Sequence, residues 1–151
     1  MRLQILSDLH LETETFAAQP APGAELLILA GDIDRGWDGL RQFADWPVPV
    51  VFVAGNHEFD GRDVDQAATA LRAFCDSLGL RMLHRDSAVI ADDQGRRIRF
   101  CWRAMGIRVT PLSVSDPVTV LLDPNGHRYP LVPTRLPGSP SPSVAGADPI
   151  G

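Results

Sequence analysis

The sequence predicts an α/β fold on three observations. Leu3 to Ser7, Glu25 to Ala30 and Val48 to Ala54 are short, nearly continuous apolar runs, the pattern of strands buried on both faces of a parallel sheet. Between Asp63 and Gly79 the apolar positions Val64, Ala67, Ala68, Leu71, Phe74, Cys75 and Leu78 follow the spacing of one helix face. Each apolar run also ends in a polar cluster, and in an open parallel sheet the carboxyl ends of the strands share one edge, where ligands bind.

The elements follow in order. Pro49 removes a ladder donor, so it belongs at the start of the third strand. A shorter helix is expected around Trp37 to Asp45, burying Leu40, Phe43 and Ala44 and stopping ahead of Pro47. Asp63 is placed to cap the longer helix, and Gly79 suits its left-handed end. Leu80 to Leu83 reads as a strand, and Ala88 to Ala91 joined to Arg97 to Trp102 through Asp92-Asp93-Gln94-Gly95 reads as a hairpin. Beyond Met105 the periodicity weakens, and Val118 to Leu122 is the one further strand expected.

At 151 residues, with 44% hydrophobic and 22% charged, the chain fits one globular domain. Fourteen basic residues against 19 acidic ones give a net charge of -5, so no basic field exists to hold a nucleic-acid backbone. The two cysteines, Cys75 and Cys101, are too few for a zinc ribbon or a disulfide framework and read as buried thiols in a reducing compartment. Asp8 interrupts the N-terminus before an apolar stretch reaches signal length, and no later run approaches the ~18 residues of a membrane span. A cytoplasmic protein without membrane contact is expected. Charge and proline divide the chain: residues 1–100 hold 16 acids and 10 arginines, whereas nine of the 13 prolines lie beyond residue 110. The expected division is a domain over 1–104 and a divergent, proline-rich tail over 105–151, disordered from about residue 133.

The polar clusters carry the chemistry. Asp8-Leu9-His10 follows the first run, Gly31-Asp32-Ile33-Asp34 the second and Gly55-Asn56-His57-Glu58 the third. Carboxylate, amide and imidazole donors suit divalent manganese, iron or zinc, and the absence of thiolate argues against a structural zinc site. Asp-x-His, then Gly-Asp, then Gly-Asn-His-Glu, each at a strand end, resembles the calcineurin-like metallophosphoesterases, over roughly residues 1 to 100.

That resemblance implies a β-sandwich flanked by helices and a pair of divalent metal ions. Asp8 and His10 would hold the first metal, Asp32 would bridge and Asn56 would hold the second. His57 would be catalytic, stabilising the phosphoryl group or protonating the leaving oxygen. Two cations polarise a phosphoryl oxygen and acidify bridging water, giving a hydroxide for in-line attack on a phosphomonoester or phosphodiester. A small phosphorylated substrate is thus implied even for an acidic chain, because the ions supply local positive charge. Arg35 either reaches a substrate phosphate or is solvated or paired with Asp38. Asp34 matches an aspartate that orients the catalytic histidine, but with one residue step fewer between the two aspartates than the family's common form.

Members of the family complete the site with later Gly-His and Gly-His-x-His motifs. Here the histidines after His57 are His84, read as a surface or strand-end residue, and His127, in Gly126-His127. The fold is therefore expected to be incomplete at the C-terminus, as in a truncated or frame-shifted member, with the inner face of the first sheet partly uncovered and open to self-association. The alternative to an enzyme is an inactive fragment that binds one metal or a protein partner. For each aspartate and asparagine the plainer reading is a strand or turn cap, and Glu58 reads as a helix start or surface residue rather than a ligand.

Overall fold

The computed structural model describes residues 1–92, 94–103, 106–111 and 119–121. Strands β1 (Arg2–Leu6), β2 (Leu26–Ala30) and β3 (Val50–Val53) form where the three apolar runs predict them. Helix α1 (Val64–Ser77) and strand β4 (Arg81–Leu83) follow. Then come β5 (Ser87–Ala91), β6 (Arg97–Arg103), β7 (Gly106–Pro111) and β8 (Thr119–Leu121). Five strands make a parallel sheet in the order β4-β3-β2-β1-β8, and β5-β6-β7 make an antiparallel one.

Alternation along the parallel strands divides the core between two faces. Leu3, Ile5, Ile28, Val51 and Val53 pack with Ala88, Ile98 and Phe100 of the antiparallel sheet. Leu27, Leu29, Phe52 and Met82 face the other way, against Leu71 and Cys75 of α1 and against Leu40 and Phe43. The central sheet therefore lies between a helical layer and a second sheet, which is why its strands are apolar throughout. The inner face, expected from the sequence to be partly uncovered, is packed among the described residues against Ala88, Ile98 and Phe100 of the β5–β6 hairpin. Strand β7 was missed altogether; its alternation of Ile107 and Val109 with Arg108 and Thr110 is short, and it pairs antiparallel with β6 from Ile98↔Pro111 to Arg103↔Gly106.

Local expectations were largely met. Asp63 Oδ1 accepts from Gln66 N at 3.0 Å at the start of α1, and Gly79 takes φ +72° just beyond its end. Pro49 lies just ahead of β3, its carbonyl accepting from Leu27 N at 3.0 Å. The helix expected near Trp37 is a 3-10 helix over Asp38–Phe43, burying Leu40 and Phe43. Gln4, buried within β1, donates to Gln19 O at 2.8 Å and accepts from Ala21 N at 2.9 Å, tying the β1–β2 connection to the sheet. No described helix is long and apolar enough to cross a membrane. His127 and the stretch expected to be disordered lie outside the described residues.

Candidate metal centre

The three polar clusters meet at the carboxyl edge of the parallel sheet. Past the end of β1 the chain runs beside the chain leaving β2, joined by Asp8 N to Gly31 O at 3.0 Å, His10 N to Asp32 O at 3.1 Å and Leu11 N to Ile33 O at 2.9 Å. Asp8, His10 and Asp32 all adopt left-handed backbone, with φ of 53°, 44° and 52°. Such conformations cost about 1–3 kcal/mol each and gather at functional sites.

Potential ligand atoms of His10, Asp32 and His57 all lie within 4.8 Å of one another. A divalent ion with bonds of about 2.0–2.2 Å closes that spacing through small side-chain adjustments, and an imidazole–carboxylate–imidazole set fits manganese, iron or zinc. The rings of His10 and His57 stand edge to face at 4.8 Å. The carboxylate of Asp8, on an exposed residue, is not part of this set. Asn56 is exposed at the start of the 3-10 turn His57–Phe59 and makes no side-chain capping bond there, so its amide is not spent on the turn. Asp32 Oδ1 accepts from His57 N at 3.0 Å, holding the second loop to the third.

Glycine makes the approach of these loops feasible. A Cβ on Gly55 would stand 2.3 Å from Asp32 Oδ1, and one on Gly31 would meet Gly55 Cα and N at 3.0 Å. No other residue fits either position without displacing the loops.

Three expectations about individual side chains are corrected. Glu58 is fully buried rather than on the surface, although it does lie in the helical turn that starts at His57. Its carboxylate accepts from the backbone N–H groups of Asp32, Ile33, Asp34 and Gly55. Burial pushes its pKa up, and the four N–H donors only partly oppose that shift. Asp34 does not orient His57: its oxygens accept from Gly36 N at 2.7 Å and Gly39 N at 2.6 Å, shaping its own loop. The carboxylate beside His57 is Asp60, with Oδ2 3.2 Å from Nδ1. Arg35 does not pair with Asp38, which pairs with Arg41 at 3.2 Å; the exposed Arg35 guanidinium lies 4.0 Å from Asp60, on the His57 side of the site.

Two further residues went unsuspected. Glu12 lies 3.3 Å from His10 Nδ1 and also accepts from Arg35 N at 3.1 Å. Arg62 donates to the carbonyls of Arg35 and Glu58 and stacks over Trp37, whose Nε1 donates to the same Glu58 carbonyl. No composition signal marks these residues, since each acts through a backbone group or a long-range neighbour. His84 follows β4 as a strand-end histidine, its ring 5.7 Å from that of Phe59. Burial, then the Arg85 and Arg72 charges, holds it below the ordinary imidazole range.

The family model described as calcineurin-like phosphoesterase matches residues 1–108. The chain belongs to the calcineurin-like phosphoesterase family. That match spans all three motifs, both layers that flank the central sheet and the start of β7. No curated protein and no solved structure matches the chain.

Proposed function

We propose that this chain is a metal-dependent hydrolase of phosphate esters, a phosphomonoesterase or phosphodiesterase, working at the carboxyl edge of its parallel sheet. The observation that carries the proposal is the convergence of His10, Asp32 and His57 from three separate strand ends to within 4.8 Å. In a phosphoesterase family, divalent cations supply the positive charge that polarises a phosphoryl oxygen and acidifies water.

The positions of the chain's own groups support the following roles. His10 and Asp32 would hold a cation, with the exposed Asp8 and Asn56, on the first and third loops, as its further ligands. His57 stabilises the phosphoryl group or gives a proton to the leaving oxygen, its ring steadied by Asp60. Arg35, exposed on the same side, offers a planar fork to a substrate phosphate.

A second reading, a chain that binds a single ion without turnover, is favoured by the supply of imidazoles. Beyond His10 and His57 the sequence has only His84, placed against Phe59, and His127. Elemental mass spectrometry of the purified protein, with hydrolysis of a chromogenic phosphodiester in added manganese, separates the two. Turnover absent from an Asp32→Ala control supports the hydrolase; bound metal without turnover supports the single-ion chain.

A further inference from the structure

Glu58 is the most deeply buried charged side chain among the described residues, at 0% exposure, and the chemistry proposed above leaves it without a task. Both of its oxygens are committed to backbone donors. Oε1 accepts from Ile33 N at 2.7 Å and Asp34 N at 3.3 Å, and Oε2 from Gly55 N at 2.7 Å and Asp32 N at 3.1 Å. Three of these donors lie past the end of β2 and the fourth lies past the end of β3.

The three loops of the site are joined in two different ways. Backbone bonds through Asp8, His10 and Leu11 join the first loop to the second, with the Glu12 carboxylate accepting from Arg35 N beside them. Between the second loop and the third, no backbone bond is found among the described residues beyond the β2–β3 ladder. That join is made by side chains: the Glu58 carboxylate, Asp32 Oδ1 with His57 N, Trp37 Nε1 with the Glu58 carbonyl, and Arg62 with the carbonyls of Arg35 and Glu58. Of these only the Glu58 carboxylate ties Asp32, Ile33 and Asp34 directly to Gly55 without using an oxygen of a candidate ligand.

We infer that Glu58 is a positioning residue, which locks the loop of residues 31–34 to the loop of residues 55–58 and thereby fixes the candidate ligand Asp32 against His57 before a cation arrives. The inference rests on the metal reading of the trio. Its physical basis is preorganisation: a site whose loops are already fixed loses less conformational entropy on binding, and outer-shell partners of this kind are worth about 10- to 100-fold in metal affinity. Four N–H donors need two acceptor oxygens. Glu58→Gln keeps the shape but turns one oxygen into an NH2 group, so two backbone N–H groups then face a donor and one side of the clamp opens.

The test uses the full chain and two readouts. Amide hydrogen exchange by NMR in the wild type is expected to show Asp32, Ile33, Asp34 and Gly55 protected like strand residues, although they lie in loops. Manganese titration by calorimetry is expected to show Glu58→Gln binding about 10- to 100-fold more weakly than wild type while still melting cooperatively. Wild-type manganese affinity in a folded Glu58→Gln variant overturns the inference, as do wild-type amides that exchange at loop rates. If the variant does not fold, the wild-type exchange pattern decides. If the wild type binds no manganese, the metal reading fails, and the same four amides still decide whether Glu58 holds the loops together.

Discussion

Asp32 and Gly55 meet across the gap between two parallel strands with no space for a side chain on the glycine: a Cβ there would stand 2.3 Å from Asp32 Oδ1. The Asp32 carboxylate occupies that space and accepts a hydrogen bond from His57 N at 3.0 Å. The glycine ahead of the Asn-His-Glu sequence is thus a steric requirement of the carboxylate opposite.

Gly55→Ala is expected to push Asp32 out of position. Overpacking at a well-filled site costs about 1–3 kcal/mol, so the melting temperature falls. Manganese affinity falls with it, by about tenfold or more. Calorimetric titration beside a thermal melt checks both; an alanine variant that binds manganese like wild type would show that the close approach is not needed.

Asp60 lies one turn after His57 and faces its Nδ1 at 3.2 Å. Asp60→Ala is expected to lower kcat for a phosphodiester by about tenfold, the scale of losing an orienting partner, with the bound metal content unchanged. Equal loss of metal and activity would instead place Asp60 among the groups that hold the ion.

The turn of the β5–β6 hairpin gives the clearest dependence on pH. Burial raises the Asp92 pKa, but the side-chain hydrogen bond from Arg96, the backbone N–H groups of Arg96 and Gln94 and the Arg96 charge outweigh it, and the net shift is downward. A carboxyl whose folded pKa is depressed contributes stability above its unfolded value, near ~3.9, and that stability is lost as pH falls through the folded value. Arg96 also reaches Glu25 at 2.9 Å, joining the hairpin to the start of β2. Asp92→Asn should therefore melt earlier than wild type at pH 7, and the gap should close on acidification below pH ~4. A gap that stays constant across that range would contradict the ion-pair account.

Cys75 is fully buried in the layer between α1 and the sheet. Burial, aided by the charge of Asp76, pushes its thiol up to about 12. Because the thiolate is the reactive form, Cys75 should resist iodoacetamide in the native protein and react once it is denatured, as read by peptide mass spectrometry. Rapid native labelling would mean that α1 opens from the sheet.

What the sequence displays is the part of the fold with a short-range signature. Continuous apolar runs mark β1, β2 and β3, helical spacing marks α1, and Asp63 and Gly79 mark its ends. His10, Asp32 and His57 are legible because strand ends share an edge. The helix-start position of Glu58 is legible, but its burial is not, because a carboxylate gives no local sign that it will be enclosed; only the meeting of two loops supplies its four donors. The partner of His57 is not legible for a related reason, and the spacing mismatch at Asp34 is the one sign against that residue. Its oxygens find backbone N–H groups two and five residues ahead, while Asp60 reaches His57 from within the same turn. The covering of the inner face depends on long-range packing of Ile98 and Phe100 onto Ile5, Ile28 and Val51, which no periodicity within a single strand encodes.

The most direct test of the central claim is the metal content of wild type and Asp32→Ala, measured by elemental mass spectrometry on the proteins used for phosphodiester hydrolysis with manganese. The account predicts at least one divalent ion per wild-type chain with manganese-stimulated turnover, and neither in the variant. Equal metal content in the two proteins, with no turnover in either, would contradict it.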